Sequence, residues 1–222
     1  MVLCPAGAAQ AAGGYAEAVA GTSGLIAYWR LGETSGMTAT DVTGRAPGSL
    51  LGGVGLGARG ALSGDADTAA RFDGVDDELQ ASGGPGAATL EGWFFWEAGV
   101  ALLRDDTSGG GWILAYDSGG RIACRAGGTA LVSTTPVSEV RDGRWHHFAL
   151  TRDRDEVRLY LDGRRLTLPA DPPGTATAAA PWRVMHNGST VGQYSRGLAD
   201  EIAIYDRPLT AADIRQRAAL GK

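Results

Sequence analysis

The sequence predicts an all-β chain, folded as an antiparallel two-sheet sandwich with a short C-terminal helix. Three observations lead there. First, Arg144–Leu168 reads as consecutive strands. Trp145–Thr151 is aromatic and apolar, Arg152–Asp155 is a charged turn, and Val157, Leu159 and Leu161 then alternate with Glu156, Arg158 and Tyr160, the period of two of a half-buried strand. Second, Asp162-Gly163 separates this run from Arg165–Leu168, and Asp-Gly supplies the positive φ pair that a two-residue hairpin turn requires. Third, about a dozen such short runs recur along the chain, without the intervening helical patterns that a doubly wound sheet would need.

Taken in order, Met1–Gly14 is rich in Ala and Gly and has no periodicity, and Tyr15–Ala20 can form one helical turn. Residues 1–20 are therefore read as a flexible arm, and 21–222 as one domain. Strands are expected at Leu25–Leu31, Ser49–Leu56, Ala69–Phe72 and Glu78–Ala81. Thr89–Trp96 carries Trp93, Phe94, Phe95 and Trp96 in succession. Apolar on both faces, it reads as a central strand with the core on one side and loops on the other. Val100–Arg104, Trp112–Tyr116, Arg121–Arg125 and Thr129–Thr134 follow, then the hairpin, then Arg183–His186, Thr190–Gly192 and Glu201–Tyr205. Thr210-x-x-Asp213 is a capping-box pattern that opens the final helix, with Ile214 and Ala218 facing inward.

Composition narrows the partners. Twenty basic residues against 25 acidic ones leave a net charge of −5, and no basic stripe points to nucleic acid. No apolar run is long enough to span a membrane. The 35 glycines fall mostly between apolar runs, as tight turns require. Cys4 and Cys124 make no disulfide framework. A bridge between them is open, but Cys124 alternates with Ile122 and is expected in the core. Met1–Ala12 lacks the basic and long apolar regions of a signal peptide. Asn187-Gly188-Ser189 matches a glycosylation acceptor and reads as a turn.

The hairpin is also where a family resemblance enters. Trp145–Thr151 with Val157–Gly163, together with Leu25–Glu33, Ala70–Asp76, Thr89–Phe94 and Leu198–Ile214, resemble in the same order the laminin-G-like, concanavalin A-like lectin/glucanase domains. The resemblance runs from about Gly24 to the C-terminus. It implies a jelly-roll sandwich and says much less about function. It also implies a structural Ca²⁺, with Asp41 of Asp-Val-Thr-Gly-Arg and Asp200 of Leu-Ala-Asp-Glu as carboxylates and carbonyls from Val42–Arg45. The alternative is that Asp41 forms an Asx-turn and Asp200 makes ordinary hydrogen bonds.

Three further chemistries were weighed. Asp73, Asp76, Asp77 and Glu78 put four acids within six residues, without the ligand spacing of an EF-hand. Trp112, Tyr116, Trp182, Tyr194 and Arg196 lie at or near loops and are candidate ligand-binding residues, since sugar sites combine aromatic faces with a few polar groups; a packed core role is the alternative for each. A jelly-roll glycosidase needs two nearby carboxyls. Strict alternation puts Ala203 and Tyr205 on the face of Glu201, with no second acid, and His146, His147 and His186 have no zinc spacing. No catalytic residue is assigned. The expected function is a non-catalytic, extracellular binding or adhesion module for glycans or cell-surface polymers. The alternative is a structural protein of a homo-oligomer or larger assembly, such as a phage virion decoration or tail component, held through the N-terminal arm.

Overall fold

The computed structural model describes residues 14–82, 87–105, 111–116, 119–126, 131–154, 156–168, 181–188 and 192–222. Residues 1–13 of the expected arm, Cys4, Ser189 and most of the expected strand 190–192 lie outside them. The chain opens with α1 (Tyr15–Ala20) and β1 (Leu25–Trp29), then β2 (Thr38–Ala39), β3 (Gly48–Leu51), β4 (Gly55–Arg59), β5 (Thr68–Asp73) and β6 (Glu78–Ala81). Its middle comprises β7 (Thr89–Ala98), β8 (Ala101–Asp105), β9 (Trp112–Tyr116), β10 (Arg121–Ala126) and β11 (Leu131–Pro136). After a 3-10 turn come β12 (His146–Asp153), β13 (Glu156–Leu161), β14 (Arg164–Arg165), β15 (Trp182–Val184), β16 (Arg196–Tyr205) and α2 (Ala211–Leu220).

The strands form two sheets that are antiparallel at each pairing. Sheet A has the order β14-β13-β12-β7-β16-β5-β4, with β1 also paired to β16; sheet B has the order β11-β10-β9-β8-β15-β6-β3-β2. This is the two-sheet jelly-roll sandwich that the sequence predicts. Between the sheets lie Trp29, Phe72, Phe94, Trp96, Trp112, Phe148 and Trp182. Cys124 is among them as a free thiol, and burial pushes its pKa up to about 12. The Asp162-Gly163 turn has φ of 49° and 77°, the conformation that Asp-Gly favours.

Three features depart from the sequence reading. Ser49–Leu56 is not one strand: β3 belongs to sheet B and β4 to sheet A. The chain crosses at Gly52 and Gly53, with φ of 87° and 122°; a Cβ at Gly52 would stand 2.2 Å from the Asp76 carbonyl oxygen. Residues 15–20 are not arm. They form α1, whose Tyr15 and Val19 are buried against sheet A. Finally, the outer face of β7 is covered by helices as well as by a loop: Trp93 joins Tyr15, Val19, Tyr28, Leu62, Tyr205 and Ile214 in a second apolar layer under α1, α2 and the loop after β4.

The capping box at α2 is fully formed. The Asp213 N–H donates to the Thr210 hydroxyl at 3.1 Å, and the Thr210 N–H donates to the Asp213 carboxylate at 2.9 Å. A Thr210→Ala variant is expected to lose about 1 kcal/mol of stability, read as a lower urea midpoint at unchanged slope.

Candidate functional site

Asp41 is bound up in its own turn. Its Oδ1 accepts the N–H groups of Tyr28 and Thr43, and its Oδ2 accepts the Thr43 hydroxyl and the N–H groups of Arg45 and Ala46. Five donors thus meet a carboxylate that has about four lone-pair positions. Asp41 closes the 41–46 turn and ties it to β1. Asp200 shares none of these partners. It faces outward from sheet A, 1% exposed, and its Oδ2 accepts the Ala61 N–H at 2.8 Å. Burial pushes its pKa up to about 7.

Strict alternation also fails at this point. Trp93 pairs with Asp200 and Glu91 with Ala203, so Glu201 and Ile202 together face Gly92. Glu201, at φ 55°, is the extra residue of a β-bulge. Its carboxylate accepts from the Tyr28 hydroxyl and, at 3.0 Å, from Arg30 Nε. Asp200 and Glu201 therefore share the outer face, against the expectation of no second acid there. Both are closed off, at 1% and 0% exposure.

The acids that do converge are Asp73, Asp76 and Asp77, whose oxygens lie within 4.8 Å of one another. They occupy the turn where the chain passes from β5 in sheet A to β6 in sheet B. Burial raises the Asp77 carboxyl, and the charges of Asp73 and Asp76 raise it further. Oxygen-only ligands at such spacing fit a hard cation.

Glu78, the fourth acid of that run, points elsewhere. It crosses to the outer face of sheet B, where both its oxygens accept from Arg183 Nη1 at 2.7 and 2.6 Å, and His186 Nδ1 lies 2.9 Å from its Oε2. Tyr194 stacks on His186 with ring centroids 4.0 Å apart and planes at 11°. Arg104 Nη1 donates to the Asn187 side-chain oxygen at 2.8 Å. Register aligns these groups: Ser49 pairs with Gln80, Gln80 with Arg183, Arg183 with Arg104, and Arg104 with Ile113. Directly paired residues share a face, so one polar row crosses four strands and ends at Ile113 on a fifth. A cavity of about 290 Å³ opens at its end between Pro47, Ser49, Gln80, Ser82 and Pro181.

Of the five expected ligand-binding residues, the structure brings only Tyr194 to this face. Trp112 and Trp182 are 0% and 1% exposed in the core and cannot stack on a ligand, because each alternates inward from its short strand. Tyr116 is half-buried beside Trp96, with the Arg141 guanidinium 4.9 Å from its ring centroid. Arg196 is exposed and paired with Glu97 at 3.0 Å. Nothing local in the sequence marks Arg183, Arg104 and Gln80. Only long-range strand register sets them side by side.

A family model described as the concanavalin A-like lectin/glucanases superfamily matches residues 62–215. The chain belongs to that superfamily. No curated protein sequence matches it. Among solved structures, this superfamily member is similar to Trypanosoma rangeli sialidase, with TM-score 0.66 and 18% identity over 89% of this chain and 33% of that one. It therefore spans about a third of that protein. Domain 4 of an extracellular GH43 arabinanase from Geobacillus stearothermophilus, solved with arabinotriose, has TM-score 0.66 and 18% identity over 89% of this chain and 98% of that one. The binding domain of Paraclostridial Mosquitocidal Protein 1 has TM-score 0.64 and 12% identity over 88% and 52%. These likenesses establish the fold. Among the described residues, no helix is long and apolar enough to cross a membrane.

The Asp200 environment has a consequence for stability. Its carboxyl titrates near 4 when unfolded and at about 7 when folded, so the native state holds the proton more tightly. This contribution is complete below the unfolded value and is lost as pH rises through 7. The stability of the wild type relative to Asp200→Asn should therefore fall between pH 4 and pH 7.5, as measured by urea denaturation; a pH-independent difference would refute the assignment.

Proposed function

We propose that this domain is a non-catalytic, extracellular glycan-binding module, and that glycan lies on the outer face of sheet B. One observation carries the reading: Gln80 and Arg183 stand side by side on neighbouring strands, with Tyr194 held flat on His186 beside them, while Arg104, next in the row and buried, holds Asn187. Planar donors on neighbouring strands suit sugar hydroxyls, and an aromatic ring at the margin suits a sugar's apolar face. Among the described residues, no helix covers this face, whereas α1 and α2 cover the matching face of sheet A. The arabinanase domain bound to arabinotriose supports the same reading. The closed position of Asp200 and Glu201 supports binding over hydrolysis, since a glycosidase presents its two carboxyls to the substrate.

Calcium belongs to this proposal at a different place from Asp41. Asp73, Asp76 and Asp77 would hold it, and the ion would neutralise their mutual repulsion and stiffen the turn that leads into Glu78. Calcium is then expected to raise the thermal midpoint and a chelator to lower it, by mass action on the native state. Asp76→Asn, a change at an exposed residue, should abolish that response. An unchanged midpoint in the wild type would remove the ion from the account.

For the glycan face, a glycan array followed by calorimetry identifies the ligand. Tyr194→Ala and Gln80→Ala are each expected to weaken binding by about tenfold, the worth of one good stack or hydrogen bond. Polysaccharide hydrolysis assays should stay at background. A wild-type domain that binds no glycan at about millimolar concentration would overturn the proposal.

A further inference from the structure

The opposite side of the molecule carries a second cavity, of about 370 Å³, on the outer face of sheet A. The loop after β4 forms one wall. It is held by the Ala61 N–H on Asp200 and by the Ser63 N–H, 3.4 Å from the Gly221 carbonyl oxygen. The end of α2 forms the other wall. Gly221 lies so close to the Trp93 indole that a Cβ there would stand 2.2 Å from the ring. Trp93 and Trp145 line the space, with Arg59 and Lys222 at its margin.

Three features mark it as a site rather than a packing fault. Trp93 is 2% exposed, yet its indole N–H has no hydrogen-bond partner, and a buried indole N–H ordinarily finds one. Trp145 is half-buried and is steadied edge-to-face by Phe95, with centroids 6.0 Å apart at 74°. Arg59 is exposed and makes no ion pair among the described residues, while Lys222 is exposed and lies in the field of Asp162.

These groups select a ligand class. The half-buried Trp145 indole calls for an apolar ring face, the unpartnered Trp93 N–H calls for an oxygen acceptor, and two cations call for an anion. A neutral sugar leaves the cations unused, and a simple anion leaves the tryptophans unused. We propose that this cavity is a second saccharide site, which takes an acidic sugar residue of the uronate class. The sugar's C–H face lies on Trp145, a ring oxygen accepts from the Trp93 N–H, and the carboxylate meets Arg59 and Lys222. The volume suits a small ligand. The site is independent of the face proposed on sheet B.

The test is an NMR titration of the full chain that follows the Trp93 indole N–H resonance, assigned with a Trp93→Phe variant. Glucuronate is the probe and glucose its neutral control. The resonance is expected to shift saturably with glucuronate. The affinity should drop about tenfold or more for glucose and in Arg59→Gln, the worth of one charge-assisted contact. Trp145→Ala should weaken binding as well, and Tyr194→Ala should leave it unchanged. The site is overturned if the resonance does not move by about 50 mM glucuronate, if glucose moves it equally, if Arg59→Gln binds as the wild type does, or if Tyr194→Ala abolishes the shift. A failure here leaves the sheet B proposal standing, because Tyr194 and Gln80 are tested separately.

Discussion

The structure depends on how β16 is shared. On one side it hydrogen-bonds to β7 from Arg196 to Tyr205. Its other side is divided: β5 takes residues 196–199 and β1 takes 202–205. Two strands on one edge leave a seam at Asp200 and Glu201, and the bulge there absorbs it. The seam turns two consecutive acids to the same face and makes room for Arg30, which bridges Glu201 to Asp65 and Asp67 on the loop after β4. The same loop walls the outer cavity of sheet A. Gly92, opposite the bulge, has no space for a side chain, since a Cβ would stand 2.4 Å from Ile202 Cδ1.

The helix layer rests on a second buried charge. Glu91 lies in the middle of β7 and is fully covered. It accepts from the Tyr205 hydroxyl at 2.5 Å, with His147 Nε2 at 3.4 Å and Arg217 Nε at 3.5 Å. Burial alone would raise its carboxyl, but His147 and Arg217 hold it below the usual range. The final helix thus docks through Ile214 and Ala218 and through a buried guanidinium. Removing one partner of such a pair strands the other, a cost of about 3–5 kcal/mol in comparable cases. This is why a helix as polar as Ala211–Leu220 sits firmly on a sheet.

Much of the fold was legible because its signals are local. Asp162-Gly163 fixes one hairpin, Thr210 and Asp213 fix one cap, and Val157, Leu159 and Leu161 fix one face. What was not legible is set by distant pairing. The division of 49–56 between two sheets turns on backbone crossing at Gly52, and the bulge at Glu201 turns on β1 and β5 meeting along β16. The site suffered most from this. Trp112 and Trp182 look like loop-edge aromatics when read along the chain, but strand phase turns them inward. The donors that converge on Asp41 come from its own turn and from β1, and the turn's closure is not marked in the sequence. Arg183, Arg104 and Gln80 are more than twenty residues apart in sequence and meet only through register.

The margins of sheet A carry a last consequence. One edge is β14, two exposed arginines long. A second is β4, irregular in register and ending at Arg59. The third, β1, is covered by the turn that follows β2, whose Val42 N–H donates to the Tyr28 carbonyl at 2.8 Å. An incoming strand would find at the first margin only two residues to pair with and two guanidiniums to repel it, at the second a kinked backbone, and at the third a backbone already engaged. Short, charged or kinked margins deny a template to a neighbouring chain. Copies of this domain can therefore be crowded together without sheet A of one seeding misassembly of the next.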